Sequence, residues 1–378
     1  MEAGKRSRAA AAALLLPVPV EILLRLPPEP IYLFRASFVC KHWRGLVHDA
    51  RFLRRFREFH GGMPSVLGFF NNQPRPPRFV PISDGFTLST ATMSHDDWWT
   101  LDCRHGRALL FDYREFETLL VWDLMTGDKR YLRCPPAYAA ERHWPYNGAV
   151  LRAPTHSHRH ARPFLVAFVF TNHTDLVTSA CVYSSETGVW GEITSIHVVP
   201  YSLAEVQPTA LVGNTLYLLS YSSITVFDLD KHRLDQIEAV PYTPSYEETV
   251  IMQTKDGLLG FAGLDEFKLH LWSRISGTDG AVSWTHRRVI DLERLLATDI
   301  VAAARIVLVK LIGYAEDADV IFIGVYPNIY MIHLNSMKIE EASAKGPYRY
   351  IFPYTSFYTP AGTAMVFTCN EISMKFIE

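Results

Sequence analysis

The spacing of apolar residues along the chain changes once, close to residue 60. Before that point, apolar residues recur every three or four positions, which is the period of an amphipathic helix. The recurring positions are Val20, Leu23, Leu24, Ile31, Phe34 and Phe38. Prolines at positions 27, 28 and 30 end the first helix, because proline has no N–H to donate and disfavours helix in the residue before it. Further helices are predicted over 33–38, 41–48 and 50–59, each too short to be stable alone in water.

A break at Gly61, Gly62 and Pro64 separates this segment from a different pattern. Runs of four to eight β-branched, aromatic and aliphatic residues now alternate with turns rich in Gly, Pro, Asn and Asp. This alternation is typical of many short antiparallel strands joined by tight turns. The clearest runs cover 65–70, 108–111, 118–124, 164–170, 215–221, 223–229, 269–274, 320–326 and 329–334. One helical interlude is predicted over 291–304.

An internal repeat underlies these strands. Each unit is an apolar strand, a turn and a charged return strand, and the units recur about every 45–60 residues, as propeller blades do. The five visible units cover 119–132, 180–193, 224–237, 269–289 and 330–342. Stacking the sheets radially buries both faces of each sheet and leaves only short edges.

The predicted fold class is therefore α+β multidomain: a small N-terminal helical unit followed by an all-β domain, a six-bladed, kelch-like propeller. We expect residues 65–82 to pair with a C-terminal strand near residues 364–369, so that the two ends of the chain complete the sixth blade. A β-sandwich or two smaller β-domains are the alternative folds.

The composition excludes disordered and fibrous classes, since 48% of the residues are hydrophobic and the formal net charge is only −2. The charge is unevenly distributed, because the first 60 residues are net positive and the remainder is net negative. A basic head indicates nucleic acid, an acidic membrane surface, an acidic protein partner or simply a solvated helix face.

Cysteines and the N-terminus bear on the cellular compartment. The five cysteines lie far apart and form no Cys-x-x-Cys pair, which disfavours a disulfide framework or a zinc site and favours a cytoplasmic or nuclear location. Residues 9–16 resemble the core of a signal peptide, but Pro17 and Pro19 follow without a clear cleavage site. No stretch approaches the ~20 apolar residues of a spanning helix, so we expect no membrane partner.

Candidate chemical sites are weak. Three histidines alternate in residues 156–160, but prolines flank the segment and no Cys or acidic residue stands at ligand spacing, so we predict a solvated loop. His95 to Trp99 is interpreted as a loop that enters a strand. No nucleophile-elbow, zinc-protease or phosphate-loop motif occurs. We therefore predict no catalytic residue, no metal and no cofactor.

Two further features have structural interpretations. Cys40 is interpreted as a small, buried, structural thiol. Arg51, Arg54, Arg55 and Arg57 share a predicted helix, but no aromatic platform or groove-reading element accompanies them, so we expect no nucleic-acid partner.

Residues 16–56 resemble the F-box. The matching positions are Ile-Leu-x-Arg-Leu-Pro at 22–27, Phe-Arg at 34–35, Val-Cys-Lys-x-Trp-Arg at 39–44 and Asp-x-x-Phe-Leu at 49–53. The following chain resembles plant F-box families that carry an associated β-propeller-like domain. That likeness lies in residues 68–72, 78–81, 101–110 and 120–136.

The resemblance implies a non-catalytic receptor in a cullin-type ubiquitin ligase. The F-box would dock on a Skp-type adaptor and, through it, on a cullin, while the β-domain would select an unidentified protein for ubiquitination. The implied domains are a disordered tail over 1–13, an F-box over 14–58 and a propeller over 65–378.

Apolar residues in this F-box divide between its own core and the adaptor. Leu24, Phe34, Phe38 and Leu46 are expected in the core. The expected adaptor-binding residues are Pro17, Ile22, Leu23, Leu26, Pro27, Val39, Cys40, Trp43 and Val47. Substrate-binding residues are not identified, although the long connections at 84–100, 137–163 and 241–250 are candidates.

Two other functions stay open. One is a hydrolytic or carbohydrate-binding propeller with its site in the central channel. Against it, Asp123, Asp228 and Glu192 stand in repeat-equivalent turns, where Asp suits the turn itself. The other is a plain interaction protein whose F-box is too degenerate to recruit a ligase, since Pro19 interrupts the first helix.

Overall fold

The computed structural model describes residues 17–72, 78–82, 97–140, 144–153, 163–172, 174–198, 206–220, 223–238, 249–276, 282–307 and 309–357. The described part of the chain begins with four short helices, as the apolar spacing predicted. They are α1 (Pro17–Leu24), α2 (Pro30–Ala36), α3 (Lys41–His48) and α4 (Ala50–Phe59). None of the described helices is long and apolar enough to cross a membrane. The predicted tail over 1–13 lies outside the described residues.

The remaining described chain is almost entirely β-structure, arranged as six antiparallel sheets. Blade 1 contains β1 (Ser65–Asn71), β2 (Arg78–Pro81) and β24 (Ile351–Ser356). Blade 2 contains β3 (Trp98–Arg104), β4 (Arg107–Asp112), β5 (Thr118–Asp123) and β6 (Lys129–Arg133). Blade 3 contains β7 (Trp144–Arg152), β8 (Phe164–Asn172), β9 (Val177–Ser184), β10 (Val189–Trp190) and β11 (Thr194–His197).

Blades 4 to 6 repeat a four-stranded plan. Blade 4 contains β12 (Ala210–Val212), β13 (Thr215–Leu219), β14 (Ser223–Asp228) and β15 (Arg233–Glu238). Blade 5 contains β16 (Thr249–Gln253), β17 (Leu259–Asp265), β18 (Lys268–Ser276) and β19 (Val282–Asp291). Blade 6 contains β20 (Lys310–Ala315), β21 (Val320–Val325), β22 (Asn328–His333) and β23 (Ile339–Lys345).

Three short helices lie between blades. They are α5 (Pro136–Ala140), α6 (Leu292–Leu295) and α7 (Thr298–Val307). The last two confirm the predicted helical interlude between the fifth and sixth blades. Leu292 and Ala304 of these two helices, and Leu296 between them, are buried against strands of blades 5 and 6.

Each pair of neighbouring blades shares its own hydrophobic core. Between blades 2 and 3, for example, Leu109 and Phe111 pack against Val166 and Phe168, and all four side chains are fully buried. Equivalent clusters join each of the five remaining pairs of neighbouring blades around the ring. This arrangement confirms a six-bladed propeller and excludes the sandwich and two-domain alternatives. The kelch-like subtype stays a prediction.

The ring closes by pairing strands from the two ends of the β-domain, but the closing strand differs from the one expected. β24 pairs antiparallel with β1 in the register Phe69↔Pro353 and Phe70↔Phe352, and it lies between β20 and β3. The closing strand is therefore 351–356, whereas residues 364–369 lie outside the described part of the chain. Buried Ile351, Phe352 and Tyr354 suit the inner position.

Candidate functional site

The four helices form a small core of their own. Two of these helices begin with proline: Pro17 is the first residue of α1, and Pro30 is the first residue of α2. Asp49 caps α4, since its Oδ1 accepts the N–H groups of Arg51 and Phe52 at 2.6 and 3.1 Å. The fully or nearly fully buried side chains are Leu23, Leu24, Leu33, Ala36, Val47, Phe52, Leu53 and Phe56.

This core accounts for two of the predicted adaptor-binding residues. Leu23 and Val47 are 0% exposed and pack inside the helical unit, so their side chains present no surface to a second chain. Leu26 and Trp43 are half-buried and pack partly against the same core. Leu24, Phe34 and Leu46 contribute to the core as expected.

The turn between α2 and α3 carries the most exposed apolar side chains of the unit. Phe38 is 62% exposed and Val39 is 63% exposed, which corrects the expectation that Phe38 lies in the core. Ile22 is 47% exposed on α1, and Pro27 is exposed where α1 has ended. Several apolar groups therefore stay in water after the helical unit has formed its core.

Polar contacts hold this turn, which we name the 38–40 turn after residues 38–40. The Ser37 hydroxyl donates to the carbonyl of Phe34 at 2.6 Å, and Arg44 Nε donates to the carbonyl of Ser37 at 3.2 Å. The rings of Phe34 and Phe38 meet edge to face with centroids 4.9 Å apart. The exposed side chains are thus presented on a fixed backbone, which lowers the entropy lost when a partner binds.

Cys40 has a structural role, but not the buried one that the sequence suggested. It is exposed, and its Sγ accepts the N–H of Trp43 at 3.4 Å, so it caps the start of α3. The thiol lies on the surface because the residue is the N-cap of the helix and not part of its apolar face.

The C-terminal end of α4 and the residues that follow it contact the propeller. The Arg57 guanidinium lies 5.7 Å from the ring centroid of Phe357, and the Asn335 amide donates to Met63 Sδ at 3.8 Å. In the full chain, the described part of the β-domain leaves Phe38, Val39 and Ile22 uncovered. Arg51, Arg54 and Arg55 are also exposed, on the outer side of α4.

A second concentration of functional groups lies near the axis of the propeller. Arg104, at the end of β3, is buried and donates to Asp102 at 2.8 Å, to Thr209 at 2.9 and 3.0 Å and to Glu316 at 3.4 Å. Asp102 also accepts the N–H of Val150 at 2.9 Å. The guanidinium and this carboxylate together join blades 2, 3, 4 and 6.

Arg104 forms an axial cluster with Asp102, His105 and Glu316, and burial sets the direction of the pKa shifts of those three neighbours. Loss of solvation raises the pKa of Asp102, and Arg104 opposes that rise. Burial also raises the pKa of Glu316 to about 7, again against the attraction of Arg104. The pKa of His105 falls to about 4, because burial penalises its charged form more than nearby Asp317 favours it.

Sequence reasoning missed this axial cluster. The carboxylates that it did consider lie elsewhere, in turns and on the surface. Asp123 and Asp228 each accept two backbone N–H groups within their own turns, which confirms the turn interpretation. Glu192 is exposed. No group of three or more His, Cys, Asp or Glu in the described part of the chain could hold a metal ion. The histidines at 156–160 lie outside that part.

Comparisons with known proteins agree with these two units. Residues 20–55 match the F-box domain, and residues 99–361 match the family described as "F-box protein AT5G49610-like, beta-propeller". An F-box followed by a propeller defines the class of the protein. Because the propeller match covers more than half of the chain, this protein belongs to the AT5G49610-like family of F-box proteins with a β-propeller.

A relative with both parts is the F-box protein At5g03970 of Arabidopsis thaliana. It is 21% identical over 351 residues, which cover 86% of this chain and 82% of that protein. F-box domains bind Skp-type adaptors, so the first unit belongs to a class of adaptor-docking domains.

Two of the solved structures that match the chain are similar to it only at a distance. The WD40 domain of SCAP from fission yeast is 14% identical with a TM-score of 0.37, over 71% of this chain and 60% of that one. The chain thus spans less than two thirds of that structure's length. Apo AztD from Citrobacter koseri is 12% identical with a TM-score of 0.34, over 75% of this chain and 80% of that one.

Proposed function

We propose that this protein is a substrate receptor of an SCF-type ubiquitin ligase. Its F-box docks on a Skp-type adaptor, which links it to a cullin, and its propeller binds a protein to be ubiquitinated. The observation that carries the proposal is the pair of exposed apolar side chains, Phe38 and Val39, on a fixed turn that the propeller does not cover. Exposed aromatic and aliphatic groups on a rigid backbone suit the centre of a protein interface.

The adaptor surface in this proposal consists of the sequence-predicted residues that remain accessible, together with Phe38. These are Ile22, Leu26, Pro27, Phe38, Val39, Cys40 and Trp43. Pro17 stays a predicted member of this surface, since its side chain lies outside the described part of the chain. Leu23 and Val47 support the surface from below, because they hold α1 and α3 in place. The exposed arginines of α4 favour encounter with an acidic adaptor, chiefly by raising the association rate.

The proposal includes the domain limits and the absence of catalysis. The F-box occupies 14–58 and the propeller occupies 65–378, and the protein acts in the cytoplasm or the nucleus. Transfer of ubiquitin is carried out by other subunits of the ligase. In the axial cluster, Arg104 and Asp102 already bond the backbone or side chains of neighbouring blades, which suits a structural role better than catalysis.

The first test is adaptor binding by a surface variant. We expect the double variant Phe38→Asp/Val39→Asp to bind a Skp-type adaptor at least about 30-fold more weakly, since hot-spot losses reach about 2 kcal/mol. Binding is measured by titration calorimetry with the full chain. Both side chains are exposed, so the unfolding midpoint of the free protein should not change.

The matched control is Phe59→Asp. Phe59 is also in the helical unit and 55% exposed, but it lies at the end that meets the propeller. This control should bind the adaptor like the unchanged protein. Equal affinity of all three proteins, or no affinity in any of them, would contradict the proposed function.

The second test separates ligase subunits from substrates. The unchanged protein and the Phe38→Asp/Val39→Asp variant are used for affinity capture from cells in which the proteasome is inhibited. We expect the adaptor and cullin to disappear from the variant's partners, while substrates of the propeller remain and lose their ubiquitin. A substrate whose ubiquitination is the same with both proteins would argue against the receptor role.

A further inference from the structure

The outer hairpin of blade 5 contains a β-bulge. Strands β18 and β19 pair antiparallel, with Leu271 opposite Arg288, but the next pair is Trp272 opposite His286. Arg287 is therefore an extra residue of β19 without a partner across the ladder. A bulge of this kind changes which side chains share a face of the sheet.

Here the bulge decides the position of a histidine. In a regular ladder Arg287 would stand opposite Trp272, and His286 would point to the other face, because side chains alternate along a strand. With the bulge, Arg287 instead reaches Ser273 and lies 3.4 Å from Asp256. His286 then shares a face with Trp272 and with His270.

The two imidazoles meet at a distance suited to chelation. His270 Nδ1 and His286 Nε2 are 3.1 Å apart and share a hydrogen bond, which an ion bound between them would replace. Two nitrogens bound to one tetrahedral ion at about 2.0–2.1 Å stand about 3.3 Å apart, so little movement is needed. The ring of Trp272 lies 4.6 Å from that of His286 and meets it edge to face, which restricts the orientation of the imidazole.

The surroundings of the two rings point one nitrogen of each toward the other. His270 Nε2 is buried and bonds none of the described residues, so Nδ1 is the nitrogen that faces His286. Asp265 and Lys268, which have opposite signs, are the other charged groups near His270. A metal ion binds the neutral form of imidazole.

We propose that His270 and His286 chelate one divalent transition-metal ion, such as Zn²⁺, Ni²⁺ or Cu²⁺. The protein supplies two nitrogen ligands, and water occupies the remaining coordination positions. By the usual order of stability, Cu²⁺ binds more tightly than Ni²⁺ or Zn²⁺. The inference is independent of the proposed ligase function, because it uses no residue of the F-box.

The test uses the full chain in a background that removes a competing source of imidazoles. His156, His158 and His160 are changed to Ala throughout, since three alternating histidines also bind metal ions. Titration calorimetry with ZnCl₂, NiCl₂ and CuCl₂ should then give one site per chain. We expect His286→Ala to lower the affinity on the order of tenfold or more, because the second ligand acts at high effective concentration.

The matched control is His197→Ala, which removes an exposed histidine from an outer strand of blade 3. It should leave the affinity of the blade 5 site unchanged. His270→Gln is tested beside His286→Ala, and circular dichroism checks that both remain folded. Equal metal affinity in the background protein and in both blade 5 variants would overturn the proposal.

Tryptophan fluorescence provides a second readout of metal binding that is independent of calorimetry. Bound Cu²⁺ should quench Trp272, whose ring touches His286, and Trp272→Phe should remove most of that quenching without abolishing binding. Quenching that survives in His286→Ala would place the ion elsewhere. Affinity should also fall as the pH drops below about 6, since protons compete for the imidazoles. Binding that is independent of pH would contradict ligation by histidine.

Discussion

The helical unit and the propeller differ in how completely they bury their apolar side chains. Among the described residues, twelve large apolar side chains are exposed, and six of them lie between residues 22 and 63. The other six are spread over the much longer propeller. The propeller closes on itself, so each sheet finds a neighbour on both sides. The four short helices bury a smaller core and leave Ile22, Phe38 and Val39 exposed to water.

The largest expected effect is on the stability of the propeller, whose sheets cover one another. Phe168 is 0% exposed and packs between blades 2 and 3 against Phe111 and Tyr138. Phe168→Ala should lower the free energy of unfolding by about 3–5 kcal/mol, because it leaves a cavity in a closed core. Urea denaturation measures the change. Phe38→Ala is the control and should stay within about 0.5 kcal/mol.

Loss of the axial guanidinium should have a nearly equal effect. Arg104→Met leaves Asp102 buried without its cationic partner and removes the bonds to Thr209. Breaking a buried ion pair from one side costs about 3–5 kcal/mol. Denaturation of Arg104→Met and of the double variant Arg104→Met/Asp102→Asn should show that the second change restores part of the stability. A double variant that is less stable by the full sum would argue against direct coupling.

The pH dependence of stability sharpens the view of the axis. The folded pKa of Glu316 is raised to about 7, so its contribution is present below pH 4.5 and is lost as the pH rises to about 7. The folded pKa of His105 is lowered to about 4, so its contribution grows as the pH rises from about 4 to 6.5. In the unchanged protein the two trends oppose each other.

Variants should separate these trends. In Glu316→Gln, stability should rise more steeply between pH 4.5 and 6.5 than in the unchanged protein. In His105→Asn it should fall over the same range, where Asp102, whose pKa is also raised, acts in the same direction as Glu316. Asn suits the position because the backbone of His105 has a φ of 55°. Melting temperatures across this range measure both slopes, and identical profiles would refute the assignment.

The smallest effect concerns the helical unit alone. Asp49→Ala removes the cap of α4 and should cost about 1 kcal/mol in the stability of the four helices. Amide hydrogen exchange should show faster exchange in α4, while the propeller strands keep their protection. Faster exchange throughout both units would mean that they unfold as one.

Local patterns carried most of the fold. The helices and blade strands were predictable because three- or two-residue periods and turn residues act over short stretches of chain. The closing strand was missed because β24 contains Pro353, and a proline within a run argues against a central strand. In the structure β24 lies at the inner edge of blade 1, where a missing N–H is tolerated.

The sites were less predictable for two physical reasons. Apolar spacing marks Leu23, Val39 and Val47 alike, yet Leu23 and Val47 face their own core and Val39 faces water. The pattern cannot state which neighbour covers an apolar group. The axial cluster joins Arg104 to Glu316, more than two hundred positions away, so no spacing in the sequence could indicate it.

Because β1 pairs with β24, the ring can close only after the last described strand has been synthesised. Until residues 351–356 have left the ribosome, β1 lacks its inner partner and both open ends of the sheet array expose unpaired backbone. A stop codon just before this strand therefore removes more than a few residues, because without β24 the six blades cannot form a closed ring. The four helices meet no such condition, since their apolar core lies within the first sixty residues and can form while the rest is still being translated.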